Sequence, residues 1–226
     1  MTAEVSRKEL YEVKGIDDIY VGTQVVEHNG EHFVVNIEQD FMPESPREWE
    51  HLGTIVGKHR RYQLADVEED YDGMLELLCV DHEKCPAKLR ASYEDGDDYY
   101  DDIERRAWRF IEQRYCILPV YMYEHGDIML STAPFSCQWD SGQLGYIYVR
   151  KDEALAKMGK KKWTKKVQQQ VESILEVEIN EYSQYISGDI WCFQIEDSQG
   201  ELIEMAGNIF GIEHCVDGVK EVVKSL

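Results

Sequence analysis

The sequence predicts an α+β protein: an antiparallel sheet built from hairpins and packed against a few amphipathic helices. Three observations predict it. Strand-like segments come in pairs joined by turn residues instead of alternating with helices, the pattern of a hairpin sheet and not of a parallel α/β fold. One long segment, 164–186, carries an apolar stripe at helical spacing. A hydrophobic content of 43%, with five Trp and 14 Tyr in 226 residues, is enough to build a core and sets the chain apart from disordered acidic tails. Residues 1–226 read as a single domain. Its alternative subdivision is an acidic N-terminal lobe over 1–100 and an α+β C-terminal lobe over 101–226.

The elements follow in order. Residues 19–26 and 32–38 read as strands joined at His28-Asn29-Gly30, because Asn-Gly between β-branched runs favours a two-residue hairpin turn. Ser45 and Pro46 predict a short helix start, with Ser45 as N-cap and Pro46 at the first position. Residues 66–78 predict an acidic helix burying Met74, Leu75, Leu77 and Leu78, weakened by Gly73. A second helix spans 101–114, with Ile103, Ala107, Phe110 and Ile111 toward the core and arginines placed to pair with its acids. Strands at 116–123 and 127–132 flank Glu124-His125-Gly126, and Pro119 places the first of them at an edge or a bulge. A loop at 133–143, with Trp139 packed beneath its turn, leads to a strand at 144–150. The helix at 164–186 buries Val167, Val171, Ile174, Leu175, Ile179, Tyr182 and Ile186, capped by Thr164 and ended by Gly188. Strands at 189–196 and 201–206 and a short helix near 217–225 close the chain.

Charge is the feature with functional content. Asp and Glu number 45 against 24 Lys and Arg, a net charge of -21. Such a chain repels nucleic acid and anionic membrane and attracts basic surfaces. Seven of the eleven positions from Glu94 to Glu104 are acidic (Glu94, Asp95, Asp97, Asp98, Asp101, Asp102 and Glu104), with Tyr99 and Tyr100 among them. Duplex DNA carries a phosphate charge about every 1.7 Å of axis. As a helix the stretch spans about 16 Å, or about 2.4 Å per carboxylate; extended it spans about 36 Å, or about 5 Å per carboxylate. Gly96 opposes a continuous helix. Either spacing suits a basic groove, and tyrosines stack where bases would lie. A second acidic group, Asp66, Glu68, Glu69, Asp70, Asp72 and Glu76, would extend the face if the two meet. The plainer reading of both is a solvated surface.

Other constellations carry less. Cys79, His82 and Cys85 have a C-x2-H-x2-C spacing, with His214 and Cys215 as further ligand types, but the spacing is a weak zinc signal and no metal is assigned. Ser131, Ser136, Cys137, Asp140 and Ser141 crowd one loop near His125. No G-x-S-x-G elbow accompanies them, and Asp140-Ser141-Gly142 reads as a turn, so no catalytic residue is assigned and the chain is read as a non-enzyme. His59-Arg60-Arg61-Tyr62 is the one basic spot in the first half; pairing with the acids at 66–70 is the simple expectation, phosphate contact the other. No glycine-rich loop has nucleotide-binding spacing, so no cofactor is expected. The absence of a signal-like N-terminus or a long apolar run predicts a cytoplasmic protein that avoids membranes. Scattered cysteines predict reduced, buried thiols.

Three segments together resemble a family of uncharacterised proteins encoded by phages and other mobile elements. They are Glu44-Ser-Pro-Arg-Glu-Trp-Glu-His-Leu-Gly-Thr54 running on to His59-Arg-Arg-Tyr62; Ile117-Leu-Pro-Val-Tyr-Met-Tyr123 followed by Ser131-Thr-Ala-Pro-Phe-Ser-Cys-Gln-Trp-Asp-Ser-Gly-Gln-Leu-Gly-Tyr-Ile-Tyr-Val149; and Glu178-Ile-Asn-Glu-Tyr-Ser-Gln-Tyr-Ile-Ser-Gly-Asp189. The resemblance implies an accessory gene and supplies no catalytic residues. The acidic composition also looks like that of DNA-mimic antirestriction proteins. The expectation is a phage-encoded, stoichiometric inhibitor of a host nucleic-acid-binding defence complex, either restriction or CRISPR. It would bind through Asp66, Glu68, Glu69, Asp70, Asp72, Glu94, Asp95, Asp97, Asp98, Tyr99, Tyr100, Asp101, Asp102 and Glu104, with no direct nucleic-acid contact and with a homodimer compatible. The alternative is a phage adaptor that docks through an apolar or aromatic patch, its acidity serving solubility.

Overall fold

A computed structural model describes residues 13–79 and 98–226. The fold is α+β, and its strands form two five-stranded sheets instead of one. The chain divides into a terminal unit, Met1–Ser45 with Gln184–Leu226, and a central unit, Pro46–Ser183. This division does not fall at residue 100: both chain ends build one unit, and the other is inserted between them.

In the terminal unit the strand order is β1 (Val13–Gly15), β2 (Gly22–His28), β3 (Glu31–Gln39), β9 (Ile190–Glu196) and β10 (Leu202–Phe210). Only β1–β2 is parallel. The β2–β3 hairpin forms as its Asn-Gly sequence predicts. Asn29 and Gly30 both have positive φ (52° and 83°), the backbone of a turn whose twist matches that of paired strands. Strand β3 pairs with β9 from the far end of the chain, Val35 opposite Ile195. The final helix (Ile212–Ser225) starts earlier than expected and lays Cys215, Val219 and Val223 onto Val26, Phe33, Val35, Ile37, Phe193 and Ile195.

The central unit's sheet runs β5 (Val67–Glu68), β4 (Thr54–Gly57), β8 (Ser141–Arg150), β6 (Tyr115–His125) and β7 (Asp127–Ser131). Strand β7 covers only Tyr121–His125 of β6, and the β6–β8 register shifts between Val120 and Tyr121. Pro119 therefore sits where β6 has one neighbour, beside a bulge, so its missing N–H costs no ladder bond on that side. Gly57 faces Gly145 across β4–β8, where a Cβ on either would strike the opposite backbone at 2.5 Å or closer.

Helices cover both faces of this sheet. Helix α1 (Tyr71–Cys79) and helix α2 (Asp98–Arg114) bury Met74, Leu75, Leu78, Ala107, Phe110 and Ile111 around Val56, Ile117, Tyr146 and Tyr148. Ile147 points to the other face because side chains alternate along a strand. There it meets Leu175 of α4 (Lys165–Ser187), both lying within 2.7 Å of where a Cβ on Gly53 would be. Helix α3 (Lys151–Lys157), not expected from the sequence, precedes α4. Thr164 caps α4 through the Val167 N–H (3.3 Å) and Gly188 ends it with φ 76°.

Three expectations need correction. No helix forms at Ser45–Pro46; residues 46–49 make a turn. Helix α1 begins at Tyr71 rather than 66, because residues 67–68 join the sheet and Asp70 takes the N-cap, its Oδ1 accepting the Gly73 N–H at 3.0 Å. Leu77 and Ile174 face outward at 39% and 37% exposure, off the buried stripes of their helices.

Candidate functional site

The two acidic groups meet. Tyr71, between Asp70 and Asp72, donates its hydroxyl to Glu104 of α2 and accepts the Trp108 indole N–H at 2.6 Å. Tyr71, Trp108 and Tyr146 form an aromatic knot beneath that contact, with centroids 5.3–6.5 Å apart. Burial, and then the bond to Glu104, hold the Tyr71 phenol well above the ordinary tyrosine range. The start of α1 thus touches α2 through Tyr71 and Glu104; Asp70 and Asp72 flank Tyr71 in sequence, and Asp102 lies two residues before Glu104. The backbone of Asp98, Tyr99, Tyr100 and Asp101 belongs to the first turn of α2. Glu94, Asp95 and Asp97 lie outside the described residues.

These acids are not equivalent. Asp102 pairs with Arg106 at 2.6 Å and Arg105 at 3.9 Å, the i,i+4 and i,i+3 neutralisation expected of the helix. Asp70 is a cap. Asp66 serves the fold: it accepts the Ile55 N–H (2.7 Å) and both Nε (3.1 Å) and a terminal amine of Arg47. Arg47, only 9% exposed, also gives a hydrogen bond to the Gly53 carbonyl (2.8 Å) and faces Glu178 at 3.5 Å. Glu178 in turn accepts the N–H groups of Leu52 (2.5 Å) and Gly53 (2.9 Å). A buried arginine between two carboxylates, each also bound to backbone N–H groups, locks the 46–66 segment onto α4. Among the described residues the exposed Glu68 and Glu69 make no such hydrogen bond or ion pair.

A second region lies across β6, β7 and the loop before β8. His59, Arg60, Arg61, Glu124, His125, Trp139 and Asp140 line a cavity of about 550 Å³. Arg61 does not pair with the acids at 66–70; its guanidinium binds both oxygens of Glu124 at 2.5 Å, and the Tyr62 hydroxyl donates to the same carboxylate at 2.8 Å. The Tyr62 bond and the Arg61 charge lower the Glu124 carboxyl, and the same bond raises the Tyr62 phenol. The His59 ring stacks on Tyr62, 5.2 Å between centroids.

The crowded loop resolves into a turn. Ser141 donates to the Cys137 carbonyl, and the Asp140 carbonyl accepts the Glu124 N–H at 2.8 Å. Asp140 Oδ2 lies 3.2 Å from His125 Nδ1 and accepts the Cys137 thiol at 3.5 Å. The carboxylate, not the imidazole, is the thiol's acceptor, so this is not the order of a nucleophile–base–acid relay. Trp139, next to Asp140, turns out. It is 96% exposed instead of packed beneath the turn.

Among the described residues no group of three His, Cys, Asp or Glu side chains is placed to hold a metal ion. His82 and Cys85 lie outside them. Cys79 is buried in the central core, while Cys215 is buried and His214 bonds to the Phe210 carbonyl (2.7 Å) in the terminal unit. No disulfide joins any two of the five described cysteines, and burial pushes the Cys116 and Cys215 thiols up to about 11. No helix among the described residues is long and apolar enough to cross a membrane.

Compared with protein-family models, curated proteins and solved structures, the chain matches none. Sequence reasoning did not anticipate the cavity. Its lining comes from segments 59–61, 122–126 and 139–144, and the advance signals were the His59–Tyr62 cluster and the Asp140–Ser141 loop near His125.

Proposed function

We propose that the protein is a stoichiometric inhibitor that occupies a basic, nucleic-acid-holding groove of a host defence complex. The observation that carries this reading is the Tyr71–Glu104 hydrogen bond, which ties together two acidic segments 33 residues apart beside the Tyr71, Trp108 and Tyr146 rings. The acid-rich start of α2 supplies charge at about the duplex spacing of helical backbone, and Glu68 and Glu69 are exposed just before α1. The resemblance of three segments to phage and mobile-element accessory proteins supports the same reading.

The test is capture of partners from host lysate at about 0.05 M and about 0.5 M salt, where screening lengths differ several-fold. A nucleic-acid-binding complex should be recovered at low salt, lost at high salt and displaced by duplex DNA. A Glu68→Gln, Glu69→Gln, Asp98→Asn, Asp101→Asn variant should not recover it. Capture that is unchanged by salt and by these substitutions refutes mimicry.

One observation favours a second reading, an adaptor that docks by an apolar patch. In the terminal unit Phe41 and Met42 are 84% and 90% exposed. They sit on a loop pinned by Asp40, whose oxygens accept the N–H groups of Met42 (3.0 Å) and Asn208 (2.8 Å). A partner lost on Phe41→Ser and retained at high salt selects that reading.

A further inference from the structure

We propose that the cavity around Arg60 and Trp139 binds a mononucleotide, its phosphate on Arg60 and its flat ring stacked on the Trp139 indole. The proposal uses residues apart from the acidic face and stands without it.

Charge accounting comes first. Of the charged side chains lining the cavity, Arg61 is spent on Glu124, and Asp140 on His125 and Cys137. Arg60 has no hydrogen bond or ion pair among the described residues. In a chain with 45 acids, an arginine left over beside two histidines makes this cavity the place where an anion is held. His59 adds to it: its Nδ1 accepts the Arg61 N–H at 3.4 Å, and its ring is fixed against Tyr62.

The ring half of the ligand follows from Trp139. An indole 96% exposed at a cavity rim leaves a large apolar surface in water that a planar ligand would cover. Stacking of a base on an aromatic side chain is worth about 1–3 kcal/mol and needs no particular base.

Size and total charge decide between a single nucleotide and a strand. About 550 Å³ lies in the range of small-molecule sites. A phosphate monoester brings at most about two negative charges, whereas a strand adds one per residue against a protein at -21. The walls are also set before binding. Strands β6 and β7 close through the tight turn at Gly126, φ 90°, and the Glu124 N–H ties β6 to the loop that carries Trp139.

Isothermal titration of the full chain with a nucleoside monophosphate tests this, with the nucleoside, inorganic phosphate and a short single strand as separate titrants. The monophosphate should bind at one site. Nucleoside and phosphate alone should each bind at least about tenfold more weakly, and Arg60→Ala and Trp139→Ala should each weaken the monophosphate by about tenfold. Both residues are exposed, so the thermal unfolding of the variants should match the parent. No saturable heat, binding indifferent to both substitutions, phosphate as tight as the monophosphate, or a strand tighter than either would each overturn the proposal.

Discussion

The two units divide the protein's charge in an unexpected way. The terminal unit, 88 residues, holds 18 acids and 5 bases; the central unit, 138 residues, holds 27 acids and 19 bases. The conspicuous acidic run therefore lies on the more nearly balanced unit. The terminal unit carries most of the net charge with its acids dispersed. Net charge and acidic patch are separate properties: the first sets long-range steering and solubility, the second local shape and fit. The units also differ in build. In the terminal unit one helix packs on a sheet face around Val35 and Phe193, whereas the central sheet is covered by helices on both faces and fastened by the Arg47 clamp.

The largest expected effect separates the units by stability. Arg47→Ala leaves Asp66 and Glu178 as uncompensated, partly buried carboxylates, a loss on the order of 3–5 kcal/mol. Hydrogen exchange should show lost protection at Ile55 and Gly53 while Val35 and Ile195 keep theirs. Equal loss in both units would abolish the distinction. Ile195→Ala is the converse, a cavity in the terminal core costing about 2–4 kcal/mol by denaturant unfolding, with protection lost first in β3 and β9.

Moving the same number of charges in each unit sharpens the functional side. Neutralising Glu68, Glu69, Asp98 and Asp101 should weaken capture of the basic partner by about tenfold or more. Neutralising the exposed Glu31, Glu201, Glu204 and Glu213 of the terminal unit should leave it nearly intact and change only the association rate. Equal losses would mean that bulk charge, not a face, does the binding.

Tyr71→Phe is smaller. It removes the bonds to Glu104 and from Trp108, about 1 kcal/mol by thermal unfolding, and loosens the joint between the two acidic groups. The smallest effect concerns pH. Glu124 has a folded pKa below its ordinary value of 4.5, so its stabilisation is complete above that value and is lost as pH falls through the lower, folded one. Acid titration should show both proteins beginning to lose stability near pH 4.5, with the Tyr62→Phe protein losing less and its loss ending at a higher pH than in the parent.

Local signals were legible in the sequence. Asn29-Gly30 specified its hairpin, and the Ile103, Ala107, Phe110, Ile111 stripe and, apart from Ile174, the buried side of the 164–186 helix appear as read, because periodicity and turn chemistry act over a few residues. What depended on distant partners was not. Asp66 belongs in sequence to an acidic patch but bonds to Arg47 and Ile55. Arg61 has acids a few residues away but chooses Glu124, 63 residues on. Trp139 is an ordinary core residue by type, yet it stands 96% exposed on the loop before β8. The separation into two units was hidden for the same reason: pairing of β3 with β9 leaves no mark in either strand.

That pairing bears on how the chain is made. Val35 and Ile195, opposite one another in the sheet, are 160 positions apart. At about 5–20 residues per second, a ribosome delivers β9 roughly 8–30 s after β3 has emerged. During that interval the β2–β3 hairpin shows an unpaired edge to the cell, while everything needed for the central unit is being completed behind it. The protein is therefore expected to mature from the middle outward, and a translational pause placed between Ser187 and Ile190 would lengthen the time that edge stands open.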